Sequence, residues 1–361
     1  MSSDPIDSIL MNAEWRTCLE ASGAVFGTNT VLNFGNPDAE RRAAKQGNII
    51  ADLSHFAVLR IHGADAQNFL QGQLTNDIRL VDKTRAQLSA YCNAKGRMFA
   101  IFLIFQGSDE TYYLQLPSAL AEPTLKRLRM FVMRSKVNLD INNGDSRRIG
   151  LSGPNVESFV SDLLGKTPEK VYDVLTIDDI TILRLPGEQS RFELIAPVTS
   201  LVSIWQTLSG KAMPVGAGPW TWLDIKAGIP VILPGTVEEF VPQMANLDLV
   251  NGVSFSKGCY PGQEIVARMH YLGRLKQRMF RAHVDCSTAP PPGTPIYAPD
   301  LPDQSTGHVL VAEAAPEGGV DLLAVVHLTS QAGGVMNLGE SDGAKLAIKE
   351  LPYTLNSSVT T

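Results

Sequence analysis

The sequence predicts an α+β protein built from two mixed helix-and-strand units followed by a small β-barrel. Three observations point there. Strand and helix periods are interleaved between Ala57 and Ile141. The same rhythm returns, more briefly, between Arg148 and Leu208. From Gln277 onward short apolar runs are separated by Pro- and Gly-rich turns with little helix between them. The expected division is 1–145, 146–276 and 277–361.

The first unit follows a polar lead-in. Ala57–Ile61 reads as a strand, and Ala66 to Leu74 as an amphipathic stretch with Phe69, Leu70 and Leu74 near one helical face. Strands are expected at Leu88–Cys92, Met98–Phe105 and Thr111–Leu116. A helix with Leu120, Leu125, Leu128 and Phe131 at its apolar positions follows, then a strand at Val137–Ile141. In the second unit, Arg148–Leu151, Val171–Ile177, Ile180–Leu185 and Phe192–Ile195 read as strands, with helices at Asn155–Leu164 and Leu201–Leu208. The halves agree in element order and not in sequence, which suggests a structural duplication. The barrel strands are expected at Met279–Val284, His308–Val311, Leu322–His327 and Lys345–Ile348.

Composition narrows the function. With 44% hydrophobic and 19% charged residues among 361, the chain can build more than one core. The net charge of −6 excludes the protein as a whole as an electrostatic partner of nucleic acid, so any RNA contact needs a local basic patch. Met1-Ser2-Ser3-Asp4-Pro5 has neither the basic-then-apolar order of a secretory signal nor the Arg-rich character of a mitochondrial presequence. No apolar run approaches the ~20 residues of a membrane helix. A cytoplasmic protein without a membrane partner is expected.

Cys18, Cys92, Cys259 and Cys286 are widely spaced and form no C-x-x-C pair, and the six histidines form no H-x-H or H-E-x-x-H pair. Neither a disulfide scaffold nor a resident metal is expected.

One segment stands apart: Lys257-Gly258-Cys259-Tyr260-Pro261-Gly262-Gln263-Glu264-Ile265-Val266-Ala267-Arg268. Gly258 and Gly262 permit tight turns on both sides of Cys259 and Tyr260, and Pro261 stiffens the loop. A helix is expected to start near Gln263, with Glu264 in its first turn. A helix N-terminus and the Lys257 ammonium would both favour thiolate at Cys259. A lone cysteine is more often a small buried hydrophobe, but here the flanking glycines and lysine point to a reactive or cluster-contacting thiol. Downstream, Arg268, Arg274, Lys276 and Arg278 form either a solvated face or an anion- or RNA-contacting patch.

This segment, with Phe240-Val241-Pro242-Gln243, Asn246-Leu247 and Gly252-Val253-Ser254-Phe255 before it, resembles the hallmark of the YgfZ family, relatives of the glycine cleavage T-protein. Matching stretches run from Gly63-Ala64-Asp65 and Gln71-Gly72-Gln73-Leu74-Thr75 through Ala94-Lys95-Gly96-Arg97-Met98 and Ala227-Gly228-Ile229-Pro230 to Leu351-Pro352-Tyr353. The resemblance thus covers nearly the whole chain.

The resemblance implies two ferredoxin-like α/β units and a C-terminal β-barrel around a central pocket for tetrahydrofolate or a related folate. It places two folate-associated aromatics on Phe56 and on Trp220, the latter just before an expected Leu223–Gly228 helix. Glu193, in Arg191-Phe192-Glu193-Leu194, resembles the T-protein glutamate that holds the pterin. A carboxylate can accept the paired N–H donors of a 2-amino-4-oxo ring. Phe99 and Ala100 stand where the T-protein carries its catalytic acids, and neither side chain can transfer a proton. The resemblance therefore implies a folate-binding accessory protein for iron–sulfur enzymes or their assembly proteins, including tRNA-modifying enzymes, with a weak tRNA contact as a further option. A folate-dependent one-carbon transferase using an unrecognised acid is the alternative.

Overall fold

The computed structural model describes residues 12–28, 30–107, 109–142, 146–273, 275–302 and 304–355. The segment read as a polar lead-in folds. Helix α1 (Ala13–Ala21) starts at Asn12, whose side chain accepts from the N–H groups of Glu14 and Trp15. A hairpin of β1 (Val25–Gly27) and β2 (Thr30–Asn33) leads to α2 (Pro37–Gln46), which has proline at its first position and the Asn36 side chain as cap. Strand β3 (Ile49–Asp52) follows, with all four residues buried.

The first unit runs β4 (Phe56–His62), α3 (Ala66–Gln71), β5 (Gln87–Cys92), β6 (Met98–Gln106), β7 (Tyr112–Pro117), α4 (Ala121–Arg129) and β8 (Asn138–Ile141). Its antiparallel sheet has the order β5-β6-β7-β4-β8. The second unit runs β9 (Ser146–Ser152), α5 (Val156–Leu164), β10 (Val174–Ile177), β11 (Ile180–Leu185), β12 (Arg191–Pro197), α6 (Val198–Leu208) and β13 (Met213–Val215). Its sheet has the order β10-β11-β12-β9-β3-β13. The two units therefore repeat one topology, strand–helix–three strands–helix–strand, with the last strand returning beyond the first. The difference is β3, which enters the second sheet between β9 and β13, antiparallel to the one and parallel to the other. Residues 49–52 thus belong to the second sheet although they precede the first in the chain. The strand expected at Val171–Ile177 begins only at Val174, because Tyr172 sits in the left-handed region at φ 67° and breaks the extended run.

Helix α7 (Ala217–Lys226) bridges to the loop region that ends in α8 (Gln263–Tyr271). Trp220 lies inside α7 and not before it. Gly218 and Pro219 look like breakers, but both fall in the first turn, where a missing N–H is tolerated.

The C-terminal unit contains β14 (Gln277–Val284), β15 (Pro295–Tyr297), β16 (Gly307–Ala314), β17 (Val320–His327), α9 (Leu328–Gly333), β18 (Asn337–Leu338) and β19 (Leu346–Lys349), in the order β18-β15-β16-β17-β14-β19. An Asn337–Lys345 bridge and hydrogen bonds from Leu338 N to Ala344 O and from Leu346 N to Met336 O, both 2.9 Å, join the two edges, so the sheet curls back on itself.

Two cores position the site. The larger joins the first sheet, the 229–247 loop and the barrel residues Met279, Leu310, Leu323 and Val325. The second lies within the second unit, where Trp15 and Trp205 meet edge to face at 5.5 Å. Among the described residues no helix is long and apolar enough to cross a membrane, and no group of three or more His, Cys, Asp or Glu is placed to hold a metal ion.

Candidate functional site

A cavity of about 290 Å³ opens where both sheets, α7 and the barrel meet. The first sheet contributes Leu88, Ile101, Leu103 and Gln115, the second Leu185 and Glu193, α7 Trp220 and Asp224, and the barrel Val311. His55 and Phe56 complete one wall and Tyr172 another. The surface is mostly apolar with a few convergent polar groups, as in small-molecule sites. A second cleft of about 390 Å³ shares Phe56 and is more polar, with Asp52, Asp109, Asp178 and Asp179 set beside Arg148, Phe105 and Tyr113.

The three residues singled out for folate, Phe56, Glu193 and Trp220, come from three elements and meet at this one cavity. Phe56 opens β4 and is half-buried. Trp220 is 1% exposed and held rigidly, with the Arg191 guanidinium 4.3 Å from its ring centroid. Gly150 makes room for the indole: a Cβ there would fall 2.4 Å from it.

Glu193 lies on β12 and is fully buried. Its Oε2 accepts a hydrogen bond from Gln115 Nε2 at 3.0 Å. Its Oε1 has no hydrogen-bond partner among the described residues, and Arg148 Nε stands 3.9 Å away. Burial pushes the carboxyl above the ordinary range, with Arg148 and the Gln115 hydrogen bond opposing it. Arg148 also donates to Gln115 Oε1 at 3.1 Å and to the Phe56 carbonyl at 2.5 Å, so one guanidinium braces two walls. Asp224 is similarly raised by burial, although Arg191 Nη2 donates to it at 2.9 Å.

His55, Gln115, Tyr172, Arg148, Arg191 and Asp224 were not singled out from the sequence. Two signals were within reach, the adjacency of His55 to Phe56 and the place of Arg191 in the Arg191-Phe192-Glu193-Leu194 stretch; the others come from separate neighbourhoods. Phe99 and Ala100 do not line the cavity; β6 presents Ile101, Phe102 and Leu103 there, none of them an acid.

The Cys259 loop lies outside the cavity wall. It is stitched to the first unit: Thr75 Oγ1 donates to Gly252 O at 2.8 Å, Asn76 Nδ2 to Asn251 O at 2.7 Å, and Ser254 N to Thr75 O at 3.0 Å. Gly262, at φ 80°, packs on Gly96, at φ 71°; a Cβ on Gly262 would lie 2.5 Å from Gly96 Cα and from Asn93 O. Two motifs far apart in the chain thus meet at a pair of glycines.

Lys257 does not sit in the open beside the thiol. Its Nζ is buried and donates to Gln71 O at 2.7 Å and Leu74 O at 2.5 Å, behind the C-terminal end of α3, and lies 5.2 Å from the Tyr260 ring centroid. Burial lowers its pKa to about 8. Gln263 Nε2 donates back to Lys257 O at 3.4 Å. Tyr260 is buried, whereas Gly258, Cys259, Glu264 and Arg268 are exposed.

Of the basic cluster, Arg268 and Lys276 are exposed, but Arg278 forms a bidentate pair with Asp248 at 2.7 and 3.0 Å and donates to Gln243 O. Arg274 lies outside the described residues. Arg278 is thus an internal brace and not part of an open patch.

Comparison with known proteins follows the same lines. Residues 21–251 match the family model described as the GCVT N-terminal domain. A tRNA-modifying protein YgfZ from Sodalis glossinidius is 30% identical over 308 residues, covering 85% of this chain and 93% of the relative. The protein of that name from Colwellia psychrerythraea is 34% identical over 232 residues, covering 64% and 70% of the two chains. In fold, the chain superposes on the glycine cleavage system aminomethyltransferase T of Bartonella henselae with a TM-score of 0.78 at 16% identity, over 95% of this chain and 98% of that one. The repeated α+β units, the curled C-terminal sheet and the Lys-Gly-Cys-Tyr loop fit that outcome, and the chain belongs to the YgfZ family on a GCVT N-terminal domain scaffold.

Proposed function

We propose that this chain is a folate-binding accessory protein whose central cavity takes tetrahydrofolate or a related folate. The observation that carries the reading is Glu193: a buried carboxylate at the wall of a mostly apolar cavity, one of whose oxygens accepts no hydrogen bond among the described residues and has only the more distant Arg148 guanidinium, at 3.9 Å, beside it. Buried polar atoms without partners are uncommon, and an acceptor of this kind is satisfied by N–H donors of a bound molecule. Folate supplies such donors on a flat conjugated ring, and the aromatic and aliphatic walls suit the rest of that ring. Glu193 would accept from the ring, Gln115 and Arg148 would hold the carboxylate in place, and Phe56 and Trp220 would bound the ring. Bound folate would contribute a one-carbon carrier.

The wider role is read from the relatives named tRNA-modifying proteins and from the exposed Cys259. One exposed thiol on a braced loop suits a transient contact with iron–sulfur enzymes or their assembly proteins better than a resident cluster, which draws several thiolates. A Cys259→Ala chain that fully restores tRNA-thiomethylating activity in a deletion strain would remove the thiol from this role. The alternative, a one-carbon transferase, has Asp224 as the remaining cavity acid. Turnover of a methylated amine with tetrahydrofolate, lost in Asp224→Asn, would establish it.

The test of the cavity is calorimetric titration with tetrahydrofolate of the wild type, Glu193→Gln and Trp220→Ala. Saturable binding, weakened about 10- to 100-fold by the loss of a charge-assisted acceptor in Glu193→Gln, is the expected result. No binding by the wild type overturns the folate reading.

A further inference from the structure

Glu193 is not the only unsatisfied polar group at this cavity. His55 lines the same wall, and neither Nδ1 nor Nε2 has a hydrogen-bond partner among the described residues, although both atoms are buried. We infer that His55 is a second ligand-contacting residue, which hydrogen-bonds an uncharged polar group of the molecule held by Glu193. The inference rests on the folate reading and extends it to the part of the ligand that Glu193 does not reach.

The argument begins with the inventory of the ring. A neutral imidazole carries one N–H donor and one acceptor, and burying both without partners is exceptional in a folded protein. The ring is fixed in place. It packs on Phe56 with centroids 4.2 Å apart, and its own carbonyl accepts from Ser118 N at 3.0 Å. It is also held neutral, because burial and the nearby Arg148 charge push its pKa down to about 3. An anionic group of the ligand therefore gains no ion pair from His55. The same Arg148 braces Gln115 and, through it, Glu193. The two unpartnered groups thus flank one guanidinium and belong to one polar corner of an apolar chamber.

The matching ligand chemistry is a carboxylate-binding N–H edge next to an uncharged group with a donor or an acceptor, such as a ring carbonyl or an amide. A wholly hydrocarbon ligand would leave the imidazole unsatisfied.

The experiment uses the full chain labelled with ¹⁵N-histidine and records the imidazole nitrogens by long-range proton–nitrogen correlation. His55 is assigned by the signal that disappears in His55→Phe and, independently, in His55→Gln. On addition of tetrahydrofolate, the His55 nitrogens are expected to shift while the ring signals of exposed His270 stay in place. Calorimetry should show affinity reduced about tenfold in His55→Phe, the loss of one neutral hydrogen bond, and partly recovered in His55→Gln, which restores a donor and an acceptor. Tetrahydrofolate binding with unmoved His55 signals, or with His55→Phe within twofold of the wild type, overturns the assignment and leaves the folate reading standing. No binding by the wild type overturns both. If His55→Phe does not fold, the wild-type shifts and the His55→Gln titration still decide.

Discussion

The cavity and the Cys259 loop satisfy their polar groups to different extents. In the loop almost every polar group is used internally: Lys257 caps α3, Gln263 reaches back to Lys257, and Thr75 and Asn76 take up the carbonyls of Gly252 and Asn251. In the cavity Gln115 and Asp224 are likewise paired, but Glu193 Oε1 and both His55 nitrogens have no hydrogen-bond partner among the described residues. The stretch of sequence with the most specific motif is therefore mostly scaffold around one exposed thiol. The unpartnered groups that line the cavity lie elsewhere, at Glu193, which only the Arg191-Phe192-Glu193-Leu194 stretch marks, and at His55, which no short motif marks. Motif density and chemical availability are separate properties, and only the second identifies where a ligand can be recognised.

The largest expected effect tests the scaffold side of that contrast. Gly262→Val places a branched side chain at φ 80°, with its Cβ 2.5 Å from the backbone of Gly96. All three atoms that it meets, Asn93 O and the Cα and N of Gly96, are main chain, so none can swing away. Backbone strain and overpacking together should destabilise the protein by about 3 kcal/mol or more, read as a drop in the urea midpoint. An unchanged midpoint would mean that the glycine pair is not a packing constraint, and that the motif glycines serve the thiol instead.

Next is Lys257→Ala, which removes two hydrogen bonds from a charged donor and the stem over Tyr260. A loss of about 2 kcal/mol is expected. The lysine also leaves a pH signature. Its folded pKa, about 8, lies below the ordinary 10.5, so the native state releases this proton first and the unfolded chain binds more protons between those values. Wild-type stability should therefore gain a rising contribution as pH climbs from 8 toward 10.5. Lys257→Ala should lack that rise. A reactive lysine serving Cys259 would instead leave stability nearly untouched by the substitution.

Much of this was legible in the sequence, and the gaps have physical causes. The apolar run Met98-Phe99-Ala100-Ile101-Phe102-Leu103 fixed β6, and Gly262 before Gln263 marked the start of α8. Phe56, Glu193 and Trp220 were nominated separately, and the fold brings them to one cavity. Strand β3 was not read, because four residues after a polar helix carry no period, and their partner β9 lies almost 100 residues on, a non-local pairing that no window sees. The burial of Lys257 was missed for the same reason: its carbonyl partners belong to α3. His55 carries no signal of its own in the sequence, because the burial of its ring comes from the fold.

A smaller effect belongs to the cavity. Burial raises the Glu193 carboxyl, so the native state holds its proton to higher pH than the unfolded chain does. Stability from this group is full at low pH and falls as pH rises through the folded value. Glu193→Gln, which keeps an acceptor for Gln115 but cannot ionise, should be no less stable than the wild type. Its relative stability should increase as pH rises above the ordinary glutamate range, with the overall change within about 1 kcal/mol. Urea melts from that range upward decide the matter. If the variant is instead less stable and the gap widens with pH, the carboxylate is held by Arg148 as a structural ion pair, and the contrast between the two regions narrows.

The smallest effect is at the thiol itself. Cys259 is exposed and, among the described residues, its side chain makes no hydrogen bond, so Cys259→Ser should shift stability by less than about 0.5 kcal/mol. Cys92, by contrast, is buried in the main core, and burial pushes its thiol far above the ordinary range. Brief treatment of the native protein with iodoacetamide should therefore alkylate Cys259 and spare Cys92, as read by peptide mass spectrometry. Equal protection of the two would place Cys259 under a cover and make the loop part of an internal contact. Selective modification of Cys259 with the fold intact would separate the thiol from the scaffold that presents it. Any loss of cellular function in Cys259→Ser could then be assigned to chemistry at the sulfur, since the loop around it is held by Lys257, Thr75 and Gly262 whether or not the sulfur is there.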